Sequence, residues 1–457
     1  MHRIGCSFVI LNLLCLSALF AQWEPDLRLT YADGHSVMTG NGARAIATCG
    51  DTIYLVWTDY RDGNSEIYYK NSTDMGSNWG PDTRLTNNSA ISAQSTIAAA
   101  GLNLHVAWYD TRDSNVFEIY YKRSPDGGVS WGPDTRLTYD PEYSWYPSLA
   151  LTNTKVHVAW RESRAGNYEV FYKRSTDNGA TWGPDTNLSN APQSSETPCI
   201  AASGSALHVT WFDNRDGGSY EIYYKRSTDE GATWGPDVRL TNDPGVSMTT
   251  CAAVSGPNVN VLWQDSRDGN WEIYYKRSTD GGTTWGPDTR LTNALQTSET
   301  PSAVTSGANI HVVWWDNRDL NYEIYYKRSS DRGATWDPDL RLTSDSSWSQ
   351  NPQIAFADTV LHVIWFDGRI ATTNNELFYK RNRTGNLGAE EGPGGKRPVD
   401  YDRAGATIIS GPLILPGNAR FKVYDISGRI VNPHRMAVGV YFIETEGRVA
   451  RKIVKVK

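Results

Sequence analysis

The chain has 457 residues with 44 basic and 51 acidic side chains, and its net charge of -7 leaves no basic footprint for a nucleic acid. Its 18 Trp and 25 Tyr stand against 5 Met, and no apolar run keeps a helical spacing. This is an all-β composition.

In chain order, residues 1–21, "MHRIGCSFVILNLLCLSALFA", have a basic start, an apolar run and small residues ending at Ala21. They read as a secretory signal peptide, which places the mature protein outside the cell or on its surface. The run is short for a bilayer span and no later stretch is apolar enough for one, so no transmembrane segment is expected after cleavage. Cys49, Cys199 and Cys251 then remain. An odd count argues against a disulfide framework, and Cys199 and Cys251, equivalent positions of neighbouring repeats, read as buried free thiols.

Strands ending in Trp57, Trp108, Trp160, Trp211, Trp263, Trp314 and Trp365 recur every 51 or 52 residues, as in "LHVAW" and "IHVVW". The units offer a small apolar first strand, this Trp-ended second strand, a third strand such as "EIYYKRS" and, in the first six, a fourth in "TWGPDTRLT". Four short strands per repeat of this length predict propeller blades. A β-solenoid needs shorter repeats, and kelch units carry a Gly-Gly pair. The seventh unit lacks its fourth strand, while "WEPDLRLT", Trp23 to Thr30, matches "WDPDLRLT", Trp336 to Thr343. The N-terminus is therefore expected to complete the last blade and leave no open edge.

Between the third and fourth strands lies a hairpin, "KRSTDNGATW" in one copy, in which Asp177 can accept turn amides and Gly179 permits a positive φ. Trp182 is expected to open the next strand and pack against the one before it. The pattern Ser-x-Asp-x-Gly-x-Thr-Trp resembles the Asp-box, or bacterial neuraminidase repeat, and stands at Ser72–Trp79, Ser124–Trp131, Ser175–Trp182, Ser227–Trp234, Ser278–Trp285 and Ser329–Trp336. The resemblance implies a sialidase-like β-propeller, with Asp74, Asp126, Asp177, Asp229, Asp280 and Asp331 as fold elements away from any active site.

Residues 22–383 are thus read as the propeller. Residues 384–405, Gly-rich and charged, read as a linker. From 406 to 457 short strands return. Val423-Tyr424-Asp425-Ile426-Ser427-Gly428-Arg429, Gly439-Val440-Tyr441-Phe442 and a basic terminus resemble the C-terminal sorting domain of type IX secretion substrates. That resemblance implies a small β-sandwich, type IX machinery as a partner and passage across the outer membrane.

Each loop between second and third strands repeats an acid and an Arg two apart, from Asp59/Arg61 to Asp367/Arg369. Seven equivalent copies cannot be one active site and read as a structural clasp between blades. The histidines of the second strands (His105, His157, His208, His311, His362) sit one per blade and cannot converge on a metal. No metal or cofactor site is expected.

A sialidase would need an arginine cluster for the substrate carboxylate, a Tyr–Glu nucleophile pair and an Asp acid/base. The family's Arg-Ile-Pro motif is absent, Arg44 in "ARAI" is its nearest echo, and sialidases with this core have six blades. Flat aromatic residues are the better signal. Phe117, Tyr168, Tyr220, Trp271 and Tyr322 precede the third-strand Glu in five blades, and Tyr143, Trp145 and Trp348 lie in the loops from fourth to first strands. Such faces beside hydrogen-bonding groups suit sugars or a protein partner. The expectation is a non-catalytic glycan- or protein-binding propeller using Phe117, Tyr168, Tyr220, Trp271, Tyr322, Trp145, Trp348 and Arg44. The alternatives are an exo-sialidase-like glycoside hydrolase and a purely structural surface protein.

Overall fold

The computed structural model describes residues 23–39, 43–113, 116–164, 166–371 and 374–383, and in the C-terminal region 407–409, 421–425, 429, 439–445 and 448–455. The signal peptide read at 1–21 and the linker read at 384–405 lie outside these residues. The chain divides into two compact units, 1–389 and 390–457.

The first unit is a seven-bladed β-propeller, each blade an antiparallel meander. Blade 3 is representative: its strands, from the axis outward, are Ser144–Thr152, Lys155–Glu162, Glu169–Ser175 and Thr186–Asn187. Val156, Val158 and Trp160 of its second strand are fully buried, and so is His157 between them. Both faces of the strand are covered by neighbouring blades, so the buried His157 must be satisfied internally. Each of the seven second-strand Trp side chains is buried, a contribution of roughly 3 kcal/mol apiece.

The N-terminus closes the ring. Leu27 and Arg28 pair with Tyr379 and Phe378, Leu29 N–H donates to Leu377 O, and Trp23 bridges to Asn382. Blade 1 differs from the rest because its innermost position is divided between Ser36–Val37 and Ile46–Cys49, both paired with Thr52–Asp59.

Two details depart from the sequence reading. The fourth strands are only two residues long, because the Trp-Gly-Pro part of the segment runs outside the ladder, where Pro has no N–H to give. The Asp-box Trp also packs on a different partner. Trp182 meets Tyr121 of the preceding blade edge-on at 4.9 Å, rather than the strand before it. The same contact joins Trp79 to Tyr379, Trp131 to Tyr69, Trp234 to Tyr172, Trp285 to Tyr224 and Trp336 to Tyr275. Trp23 makes the equivalent contact with Tyr326 at 5.2 Å. The Asp-box turn serves this docking. Asp177 accepts from Ser175 Oγ, Thr181 N–H and Thr181 Oγ1, and those donors hold its carboxyl well below the usual range. Gly179, at φ +80°, lies where any Cβ would strike the Tyr121 hydroxyl at 1.9 Å.

In the C-terminal unit the described strands Thr407–Ile409, Phe421–Asp425, Gly439–Thr445 and Arg448–Lys455 form one mixed four-stranded sheet. A second sandwich layer is not among the described residues. No helix of the described residues is long and apolar enough to cross a membrane.

Candidate functional site

The repeated charges are spent on the scaffold. In blade 1, Arg61 grips Asp59 through Nε and Nη2 at 2.8 and 2.6 Å and reaches Asp82 at 2.8 Å. Its guanidinium also lies 4.4 Å over the Tyr68 ring. Asp59 further accepts from Trp57 Nε1 at 2.8 Å, and hydrogen bonds from Arg61 and Trp57 keep its carboxyl low in spite of burial. The Arg–acid pair therefore clasps its own blade first, and in some blades also reaches backward: Arg215 donates to Ser189 O of blade 3, and Arg164 and Arg267 lie 3.4 and 3.5 Å from Asp140 and Asp243 in the loops arriving from the preceding blade. A polar link repeated at every junction is a lysine: Lys70 Nζ pairs with Asp82 and donates to Leu29 O of blade 7 at 2.5 Å. Lys122, Lys173, Lys225, Lys276, Lys327 and Lys380 repeat this bond to a leucine carbonyl of the preceding blade. Arginines so committed are not free to bind a substrate carboxylate.

The histidines are equally internal. His105, His157, His208, His311 and His362 each share a hydrogen bond with the Tyr hydroxyl of the adjoining third strand, Tyr121, Tyr172, Tyr224, Tyr326 and Tyr379. In blade 5 Asn260 takes the same place beside Tyr275. Among the described residues no group of His, Cys, Asp and Glu is arranged for a metal ion.

Chemistry that is not repeated gathers at the ends of the strands on the loop face. There the first strands of blades 2 to 7 carry a β-bulge whose central residue has a positive φ, Tyr146 in blade 3. The bulge swings the residues beside it toward the junction with the preceding blade. At the junction of blades 2 and 3, Tyr143 and Trp145 stack in parallel, with centroids 4.9 Å apart and planes 3° from coplanar. Phe117 packs on both at 5.7 and 5.5 Å and on Tyr109 at 4.8 Å. Trp145 continues to Tyr168 at 5.7 Å.

Arg161 holds this aromatic group together. Its guanidinium carbon lies 4.3 Å from the Trp145 ring centroid, 4.7 Å from Tyr146 and 4.3 Å from Tyr168. The same guanidinium pairs with Glu196 of blade 4, both side chains being largely buried. Burial, and then the Glu196 carboxylate, push the Tyr220 hydroxyl above its ordinary pKa. The result is a continuous platform across blades 2 to 4, with Tyr143 39% exposed at its edge.

Of the residues singled out in the sequence, Phe117, Trp145 and Tyr168 come together here, and Tyr220 lies at the margin. Tyr322 packs edge-on against Trp315 at 4.8 Å in blade 6, and Trp271 lies at the junction of blades 5 and 6. Trp348 packs on Phe366 and against the core cluster of blades 1, 2 and 7, turned inward by the close approach of Gly368. Arg44 lines the central channel, a cavity of about 280 Å³ walled by first strands of all seven blades, and donates to Ala252 O at 3.3 Å. It does not join the aromatic platform. Arg161 and Glu196 escaped the sequence reading. Their signal is a break in the repeat: the residue after the second-strand Trp is Thr58, Tyr109, Phe212, Gln264, Trp315 or Phe366 in the other blades, and charged only at Arg161.

The BNR repeat-like domain family matches residues 17–216 of the chain, reaching into blade 4. Among solved structures the propeller resembles a PL25 ulvan lyase, with 11% identity, a TM-score of 0.55, and 77% of this chain and 95% of that chain covered. The same lyase bound to a GlcA-Rha3S glycan matches at 12% identity and TM-score 0.54, with the same coverage. The polysaccharide lyase Uly1 matches at 9% identity and TM-score 0.54, over 79% and 99% of the two chains. At these identities the likeness is one of fold. No curated protein matches the chain.

Proposed function

We propose that the loop face of this propeller binds glycans without transforming them, with the platform of Phe117, Tyr143, Trp145 and Tyr168 as the principal site. The observation that carries this reading is the parallel Tyr143–Trp145 stack. It adds an exposed ring to a half-buried one and is held from beneath by Arg161. Apolar faces of pyranose rings pack on such surfaces, and the half-buried Tyr168 supplies a hydroxyl beside them. A polysaccharide lyase with bound glycan on the same fold is consistent with this choice.

A single platform of this size is expected to bind an oligosaccharide at about millimolar strength. On a glycan array, Tyr143→Ala is expected to weaken binding of the best ligand about tenfold, with a loss of stability of only about 1 kcal/mol from the ring contacts to Trp145 and Phe117. Absence of any glycan binding by the parent protein would overturn the reading. One observation favours a second reading, an exo-acting hydrolase: Glu196, Arg161 and the Tyr220 phenol meet at one junction. Release of fluorophore from a sialoside by the parent, lost in Glu196→Gln, would establish it over the first.

We further propose that residues 406–457 direct export through a type IX system after removal of residues 1–21. The support is the wording of the Phe421–Asp425 and Gly439–Thr445 strands, which are neighbours in one sheet, together with the basic Arg448–Lys455 strand. In a host with that machinery, a chain ending at residue 405 is expected to fold and stay in the periplasm. Normal surface display of this truncation would exclude the role.

A further inference from the structure

The junction of blades 5 and 6 repeats the backbone geometry of the Arg161 site and keeps its glutamate, with the arginine and the tyrosine exchanged. At the junction of blades 3 and 4, Ser195 N–H donates to Tyr168 O at 2.7 Å, which sets Glu196 beside the Tyr168 ring. Arg161 fills the space, 4.3 Å from Tyr168 and paired with Glu196. At blades 5 and 6, Ser298 N–H donates to Trp271 O at 2.7 Å and sets Glu299 in the place of Glu196, with Trp271 in the place of Tyr168. The position of Arg161 is Gln264, whose Oε1 accepts from Thr300 N–H at 3.1 Å. Glu299 has no basic side chain within 4.0 Å among the described residues. Two arginines of blade 6 are already engaged, Arg318 by Asp316 and Asp339, and Arg341 by Glu323 and Asp319. A half-buried carboxyl with only the Thr297 hydroxyl beside it is raised in pKa by that burial.

Two large aliphatic side chains of this junction stand almost wholly in solvent. Leu295 is 98% exposed and Leu320 94%. Asn270 Nδ2 holds the Leu295 loop by its Ala294 and Gln296 carbonyls, and Asn317 joins that loop to the turn of Leu320. Leu320 sits at φ 68°, where blades 1, 3, 4 and 5 place Gly63, Gly166, Gly217 and Gly269. An L side chain is disfavoured there, and a large apolar one facing water gains nothing in the free protein.

We infer that this junction binds an arginine side chain of a partner polypeptide, with Glu299 as its carboxylate, Trp271 as its stacking face, and Leu295 and Leu320 contacting apolar residues that flank the arginine. The charge complementarity follows from the internal repeat: the partner's guanidinium would take the place that Arg161 takes two blades away. Glycan binding at blades 2 to 4 uses none of these residues, so either assignment can fail without the other.

The test titrates acetyl-Leu-Arg-Leu-amide, its citrulline analogue and ethylguanidinium into the full-length chain by calorimetry. The arginine peptide is expected to bind near millimolar, and both other compounds at least tenfold more weakly. Glu299→Gln is expected to weaken the peptide about tenfold. Gln264→Arg, which installs an internal guanidinium, should abolish binding while leaving the denaturation midpoint at or above that of the parent. Leu320→Gly should weaken the peptide severalfold and raise that midpoint. Undiminished peptide binding by Glu299→Gln and Gln264→Arg overturns the inference, as does no peptide binding by the parent below about 10 mM. Equal affinity for ethylguanidinium and peptide would assign a small-molecule site and overturn the polypeptide partner.

Discussion

Deleting residues 23–30 is expected to lower the stability of the propeller by about 5–10 kcal/mol, read as a fall in the urea denaturation midpoint. The segment carries the Trp23 contact to Tyr326, the buried Leu29, and Thr30, whose hydroxyl bonds Glu376 and Leu377 N–H. It also carries three partners of blade 7's charges: Arg28 pairs with Glu376, Asp26 with Arg369 and Lys380, and Glu24 with Arg381 and Arg383. Losing Trp and Leu packing accounts for about half of the estimate, and stranding the buried Glu376 for much of the rest. The exposed edge of Asn374–Asn382 should also promote association, visible in light scattering. An unchanged midpoint would contradict the closure.

The second large effect is a loss of stability in mild acid. Burial, reinforced by Arg123, Arg174, Arg226 and Arg381 respectively, holds His105, His157, His208 and His362 at pKa values of about 4, 3, 4 and 3. In the unfolded chain each titrates near 6.5, so below that pH the unfolded state gains protons that the folded state refuses. The stability these groups contribute is complete above pH 6.5 and is lost as the pH falls through 4 for His105 and His208 and on toward 3 for His157 and His362. Each histidine costs roughly 2 kcal/mol between pH 7 and 5. Buried Glu118, Glu169, Glu323 and Glu376 are shifted upward by burial and act in the opposite sense at the lower end of this range. A single substitution separates the two effects. His208→Asn copies the Asn260–Tyr275 pair of blade 5 and should reduce the loss between pH 7 and 5 by about 2 kcal/mol. Parallel stability curves for parent and variant would exclude this origin.

The number of blades, the Asp-box hairpins and the N-terminal closure were legible because they are periodic. "WEPDLRLT" could be placed in blade 7 from its likeness to "WDPDLRLT" alone. Periodicity is silent about which copy a side chain touches. Trp182 reads the same whether it packs on its own hairpin or on Tyr121, and the Arg–acid pairs read the same within a blade or across two. The candidate site was partly legible for a related reason. Phe117 and Tyr168 stand at a position that is aromatic in five blades, and they converge only where Trp145 joins them, while Trp348 packs on Phe366 instead. Arg161 and Glu196 lie 35 residues apart on different blades and become a pair only once adjacent blades are docked. Function in this fold is carried by the exceptions to the repeat, and an exception gains meaning only from its neighbours across the junction.

The Asp-box tryptophans and the strand lysines all reach toward the preceding blade, never the following one, which makes the repeat a self-sufficient evolutionary part. A unit copied in tandem arrives with its own Trp and Lys to fasten backward, and with a Tyr and a leucine carbonyl ready to receive its successor. Rings can therefore lengthen or shorten by whole copies without a new interface having to arise. Each extra copy is released to diverge at its loop end, as the Arg161 and Glu299 junctions have done. Only the joint at Trp23 and Asp26 is tied to one place in the chain, and it marks where such growth must stop and the ring must shut.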